Sequence, residues 1–276
     1  MSKRFSIHAL FYGDYLDLAQ RCLTAFEPTL HEGAAYITDF RLGLNSVAPP
    51  TQRFVVHWAQ QVWQSWQIPV HIYVTDKNVF KYPLMRRMFR DPEAPLAQFV
   101  MWFDDDSFLT GQPGWWSRVL AAIEGQDMIG QAWFLPIEGN QWNWIQQQPW
   151  YNPDAGPPPM QRGRRCFSFC QGAWWVLRSR VVHDYDWPIP SLRHNGGDSL
   201  LGELFRHQGL RKGRFDYGVR INADDAGQPS RAARRGHSES VIGKDDRPGA
   251  TEDLSHHDFE LEKILIGSPV TGPRHD

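Results

Sequence analysis

The chain has 276 residues, a formal net charge of −2, 41% hydrophobic and 22% charged content, and thirteen Trp. That size and apolar fraction suit one large core, built as one α/β domain or two closely joined halves. The near-neutral charge argues against nucleic-acid binding by bulk electrostatics, though local basic patches remain open. Apolar runs fall well short of the roughly 20 residues of a bilayer span, and Met1-Ser2-Lys3-Arg4 opens without an apolar signal core. A soluble, cytoplasmic protein with no membrane partner is therefore expected. Cys22, Cys166 and Cys170 are odd in number and lack zinc-site spacing, so they read as reduced core residues.

Phe5, Ile7, Ala9 and Phe11 alternate as a first strand ending at Tyr12-Gly13. Asp14 then stands as an N-cap before Tyr15, Leu18, Ala19, Cys22, Leu23 and Phe26, which share one helical face. From His31 to Pro50 the pattern suggests a loop with a short strand. Val55, Trp58, Ala59, Val62 and Trp66 repeat at helical spacing, and residues 69–76 alternate as a second strand closed by Asp76. Ligands gather outside the carboxyl ends of strands in open α/β sheets, so Asp76 is a candidate for a nucleoside's hydroxyls, equally readable as a turn residue. Pro83 fits helix position N1, ahead of a short helix carrying Arg86 and Arg87, either of which suits a diphosphate.

The most informative stretch follows. Phe99-Val100-Met101-Trp102-Phe103 is an apolar run that stops at Asp104-Asp105-Asp106. The run reads as a strand buried on both faces. Three successive carboxylates repel one another and favour a bound divalent cation, with oxygen ligands that suit Mg²⁺ or Mn²⁺. A turn and N-cap is the plainer alternative, for which one Asp suffices. Pro113 opens a helix through Trp116, Val119, Leu120 and Ile123, stopped at Gly125, and residues 128–134 read as a strand. This βαβαβ order points to a mainly parallel sheet.

Residues 135–165 differ in kind, being rich in Gln, Pro and Trp, and read as an irregular flap over a substrate, with Trp142, Trp144 and Trp150 as candidate acceptor contacts. Residues 166–177 form a further strand, in which Gly172 admits a close neighbour. His194-Asn195-Gly196-Gly197-Asp198 turns into a helix ending near Gly209, with Asp198 at its amino end as either a functional carboxylate or an N-cap. Arg162, Arg164 and Arg165, then Arg211, Lys212 and Arg214, then Arg231, Arg234 and Arg235 form basic clusters. His237 sits alone in the last of these, where a structural or exposed role is the ordinary one.

Together these segments resemble a GT-A-fold glycosyltransferase, most closely the Fringe-like β-1,3-glycosyltransferase group of nucleotide-sugar enzymes. The order of motifs carries the likeness: Val74-Thr75-Asp76 closing a strand, Asp104-Asp105-Asp106 as a DxD motif, Gln171-Gly172-Ala173 followed by Arg178 or Arg180, Gly197-Asp198-Ser199-Leu200-Leu201-Gly202, and His237-Ser238. Gln171 and Gly197 stand where the family has a Gly and an acid. The resemblance spans about residues 70–240. It implies an α/β, GT-A-type (Rossmann-like) fold with a mainly parallel central sheet and flanking helices. A catalytic domain over 1–242 would divide into a nucleotide-sugar half near 1–110 and an acceptor half near 111–242, with 243–276 as a surface wrap or tail.

The resemblance also implies roles. Asp106 and His237 would bind Mn²⁺ or Mg²⁺, Asp104 would meet the donor ribose or a metal water, and Asp105 would sit beside the donor. Asp76 and Arg86 would hold the uridine and phosphate ends of a UDP-sugar, and Gly172 would lie beside the acceptor. Asp198 would take the proton of an attacking acceptor hydroxyl, inverting the anomeric centre, and helix amides would keep it ionised. The acceptor would be a glycan, a small molecule or a modified nucleic acid. The competing readings are a sugar transferase acting on a hydroxylated DNA base, a metal-dependent phosphoesterase or nuclease, and a non-catalytic sugar-binding module.

Overall fold

Phe5, Ile7, Ala9 and Phe11 project to one side of strand β1 (Phe5–Gly13) and are buried there, as a period of two requires. The computed structural model describes residues 3–137, 139–194, 196–221 and 258–267. β1 lies inside a sheet with β2 (Ile37–Val47) and then β3 (Val70–Thr75) on one side and β4 (Phe99–Asp104) on the other, all parallel. Past β4 the sheet becomes mixed. β8 (Arg164–Arg178) runs antiparallel to β4, β6 (Met128–Pro136) antiparallel to β8, and β9 (Lys212–Arg214) parallel to β6. β7 (Met160–Gln161) pairs with β8, and β5 (Phe108–Leu109) with β10 (Val219–Arg220) forms a separate two-stranded sheet.

Two cores form because the strands are apolar on both faces. Phe99, Met101 and Phe103 of β4 join the first core, while Val100 and Trp102 join the second. Helices α1 (Leu16–Thr24), α2 (Glu27–Gly33), α3 (Pro49–Trp66) and α5 (Trp115–Ile123) close the first. The second is covered by α4 (Lys81–Phe89), α6 (Gly139–Gln146), α7 (Ser179–Asp184) and α8 (Gly197–His207). The expected α/β architecture, a mainly parallel centre with flanking helices, is the one the chain adopts. Cys22, Cys166 and Cys170 are free and buried, as expected. Among the described residues no helix is long and apolar enough to cross a membrane.

Several boundaries differ from the sequence reading. The expected loop over 31–50 holds the end of α2 and the eleven-residue β2, an interior strand. Two of its polar residues, Asp39 and Arg41, pair inside the fold. Arg41 Nε bonds Asp39 Oδ2 at 2.7 Å, and the same guanidinium donates to the Met88 and Pro95 carbonyls at 2.8 and 2.9 Å. Tyr15 rather than Asp14 precedes α1, and α4 begins at Lys81, ahead of Pro83. The 135–165 segment is not irregular throughout: it contains α6 and the β7–β8 pairing. Part of the expected C-terminal wrap is β11 (Glu262–Ile266), which adds to the sheet edge antiparallel to β3.

Arg41 is fully buried, so removing it strands the Asp39 carboxylate in the core. Arg41→Ala is expected to lower stability by about 3–5 kcal/mol in urea unfolding, against a change under about 1 kcal/mol if the pair is dispensable.

Candidate active site

The parallel strands β1 to β4 all end at one edge of the sheet, and a cleft of about 500 Å³ lies against that edge. Asp104 reaches it because it continues the face of β4 that carries Val100 and Trp102. The Trp102 indole donates to Asp104 Oδ1 at 2.8 Å. Lys81, the first residue of α4, places its ammonium 2.9 Å from Asp104 Oδ2 and also 2.9 Å from the Gly172 carbonyl oxygen. The same ammonium stands 5.7 Å from the Trp102 ring centroid. One cation thus joins the end of a parallel strand to the antiparallel β8.

Asp198 enters from the opposite wall, in the first turn of α8. Gly196 precedes the helix with φ 82°, a left-handed conformation suited to glycine. The carboxylate of Asp198 accepts from the Tyr82 hydroxyl at 3.0 Å and from the Gly172 N–H at 2.9 Å. Two glycines make this fit possible. A Cβ at Gly172 would overlap the Asp198 carboxylate, and one at Gly197 would overlap the Tyr82 ring. β8 also bulges here: Gly130 pairs with Trp175 and Ala132 with Cys170, so residues 171–174 stand opposite Gln131 alone. The bulge turns the Gly172 N–H to Asp198 and its carbonyl to Lys81.

Burial pushes the Asp198 carboxyl above its ordinary range, and the Asp104 charge adds to this; Lys81, Tyr82 and the Gly172 N–H pull the other way without reversing it. Desolvation thus shifts Asp198 in the direction opposite to the one expected from helix amides. Burial and the adjacent Asp198 charge raise Tyr82 well above its usual range, so it remains a donor. A buried, hydrogen-bonded carboxylate whose pKa is shifted upward, facing a cleft, has the properties of a general base.

On the other side the cleft is lined by Leu10, Tyr12, Asn45, Asn78 and Phe80, at or just beyond the ends of β1, β2 and β3. Asn45 and Asn78 are joined at 3.0 Å, and Asn45 Oδ1 accepts from the Val79 N–H at 2.9 Å. Phe80 has φ 66°, a strained value for a bulky side chain, and the Arg193 guanidinium lies 4.3 Å from its ring centroid. Sequence patterning missed these residues and Lys81 because isolated Asn and Lys positions read as turns and surface.

The candidates separate as follows. Asp104, Gly172 and Asp198 line the cleft together. Asp105 and Asp106 are buried at the same turn, and their charges help to raise the Cys22 thiol, placing them toward α1. Asp76 is exposed and borders an adjoining cleft with residues 258–260, which shares Asn78 and Phe80 with the main one. Arg86 does not line the main cleft; its guanidinium donates to the Pro188 carbonyl at 2.6 Å and pairs with Asp186 at 2.9 Å. Trp144 and Trp150 are buried in the second core, and Trp142 stacks on Phe167 with centroids 6.5 Å apart. These three tryptophans were expected to meet an acceptor, yet none lines the main cleft; Trp133 and Gln141 do. His237 lies outside the described residues, as do Arg231, Arg234 and Arg235. Among the other basic residues, Arg164 and Arg165 border a second cleft with Trp142, Lys212 donates to the Ser168 carbonyl, and Arg214 pairs with Asp216.

The carboxylates at 104–106 are 8%, 2% and 5% exposed. Their all-oxygen donor set has the chemistry for a hard divalent cation, and Lys81 lies on the first of them. Among the described residues no three His, Cys, Asp or Glu side chains converge as a complete set of metal ligands.

No family model and no curated protein matches the chain. Among solved structures it is similar to S. aureus TarS 1-349, with 12% identity, 78% of this chain and 58% of that one covered, and a TM-score of 0.49. It is also similar to S. aureus TarS, with 10% identity, coverage of 78% and 35%, and a TM-score of 0.49. For TarS 1-349 in complex with UDP-GlcNAc the identity is 11%, the coverage 78% and 56%, and the TM-score 0.45. This chain spans less than two thirds of each of them. The chemistry of the site rests on its own residues.

A stability test follows from the raised pKa of Asp198. The folded state binds this proton more tightly than the unfolded chain, so stability is lost as pH rises from the unfolded carboxyl pKa through the folded one. Asp198→Asn is expected to be more stable than the parent at neutral pH, with the gain vanishing in acid below the unfolded pKa. Denaturant unfolding across that range checks it, and a variant less stable at neutral pH contradicts it.

Proposed function

We propose that the cleft transfers a sugar from a nucleotide-sugar donor, a UDP-sugar, to an acceptor hydroxyl, with inversion. The observation that carries this reading is the placement of Asp104 and Asp198 on facing walls of one cleft at the carboxyl edge of a parallel sheet, with Lys81 between them. Asp198 takes the proton of the acceptor hydroxyl. The acceptor oxygen then bonds to the anomeric carbon as the bond to the diphosphate oxygen breaks, and the electron pair leaves with the nucleoside diphosphate. Tyr82 and the Gly172 N–H hold the Asp198 carboxylate in place, and the bulge in β8 fixes that N–H. Lys81 and Trp102 hold Asp104 toward the donor side, where Asn78, its side-chain oxygen held by Asn45 and the Phe80 N–H, would offer its amide N–H to a nucleoside.

The cofactor proposed with it is Mn²⁺ or Mg²⁺, which Asp106, with Asp104 and His237, would hold and which would stabilise charge on the departing diphosphate. An enzyme is favoured over a binding module because simple recognition of a sugar requires no buried carboxylate of raised pKa.

The protein is incubated with Mn²⁺ and a panel of nucleotide sugars, and release of nucleoside diphosphate to water is followed. One donor is expected to be hydrolysed slowly, with Asp106→Ala and chelated samples at least about 100-fold slower. Equal rates after chelation contradict the metal assignment. Failure of every donor to bind in a thermal shift contradicts the transferase reading. An α-linked product from an α-linked donor contradicts inversion.

A further inference from the structure

Trp133 is a large side chain left open in the wall of the cleft, 50% exposed, with Leu135 two residues on at 39%. Both lie on the face of β6 that lines the cleft, and Phe169, directly across from Trp133 on β8, lines it too. Gln141 of α6 and Gln171 of β8 border the same apolar surface with neutral amides. The end of β6 is exposed on both faces, Phe134 at 41% included, and it is Trp133 and Leu135 of this exposed end that open into the cleft. A flat indole flanked by amides, on the cleft that holds Asp198, matches a ring with an apolar C–H face and hydroxyls at its edge.

Charge narrows the class. Among the described residues the basic side chains lining the cleft are Lys81 and His194, against the carboxylates of Asp104 and Asp198. Lys81 is already bonded to Asp104 and to the Gly172 carbonyl. Arg164 and Arg165 border the neighbouring cleft instead. The wall around Trp133 therefore presents apolar surface and amides, not a cradle for phosphate.

We propose that Trp133 is the platform on which the acceptor stacks, and that the group delivered to Asp198 is an uncharged, hydroxylated ring, the pyranose of a glycan or glycoside. This rests on the transferase reading above. With the donor fixed by the hydrolysis assay, the full chain is given methyl glycosides of common pyranoses, the corresponding sugar 6-phosphates and a short DNA oligonucleotide. Parent, Trp133→Ala and Trp133→Phe proteins are compared, with thermal melts confirming folding. A neutral glycoside is expected to accelerate nucleotide release over the hydrolysis background. Trp133→Ala should raise its KM by about tenfold relative to the parent, and Trp133→Phe should restore most of the loss. The inference is overturned if only the sugar phosphates or the oligonucleotide accelerate release, if no glycoside does, or if Trp133→Ala leaves the glycoside KM unchanged. Absence of any donor binding or hydrolysis by the parent protein overturns the transferase reading together with this one, and is distinguished by needing no acceptor.

Discussion

The Lys81 ammonium, bonded at once to the Asp104 carboxylate and the Gly172 carbonyl, is the contact on which the geometry of the cleft depends. Asp104 ends a parallel strand, and Gly172 belongs to an antiparallel one that β4 joins to the parallel half of the sheet. Without a cation between them, a buried carboxylate and a carbonyl would face each other across a partly dehydrated gap. With it, β8 is held at its bulge, and the Gly172 N–H can engage Asp198 from a fixed position. The two walls are thus set relative to each other by two charge-assisted hydrogen bonds from one ammonium.

The fold makes that contact possible through a division of labour along the sheet. Parallel strands bring Tyr12, Asn45, Asn78 and Asp104 to one edge, where neutral amides and a carboxylate face the cleft. Antiparallel strands bring Trp133, Phe169 and Gly172 to the other wall, with α8 carrying Asp198 in behind Gly172. α8 is itself anchored at its far end. Arg206 pairs with the buried Glu203, and His207 accepts from the Asn152 N–H at 3.0 Å, tying the helix to the segment after α6. A carboxylate of raised pKa is tolerated in this setting because the surrounding helix and strands leave it little freedom to escape to water.

Much of the frame was legible in sequence because it obeys simple periods. The alternation in 5–11 and 69–76, the helical spacing of Val55 through Trp66 and the abrupt change from Phe103 to Asp104 each survive into the fold. β2 was hidden because Asp39, Arg41 and Asn45 interrupt its apolar pattern, and only the folded chain reveals that Arg41 donates to Asp39 and to the Met88 carbonyl while Asn45 accepts from the Val79 N–H. At the site, Asp104, Gly172 and Asp198 were legible as chemical types near strand or helix ends, and they do come together. Lys81 and Tyr82 were not, since a Lys-Tyr pair at the start of a short helix looks like surface until β8 is folded against it. The Trp-rich segment misled in the other direction: composition does not distinguish Trp144 and Trp150, which fill the core, from Trp133, which lines the cleft.

The central claim is that Asp198 is the base. It is tested most directly by the pH dependence of donor hydrolysis in the parent protein and in Asp198→Asn. The account predicts that the parent rate falls in acid with an apparent pKa above the ordinary carboxylate range, and that Asp198→Asn is slower by about 100- to 10,000-fold and no longer shows that limb. An Asp198→Asn protein that binds donor and hydrolyses it at the parent rate, with the same acid limb, would contradict the account.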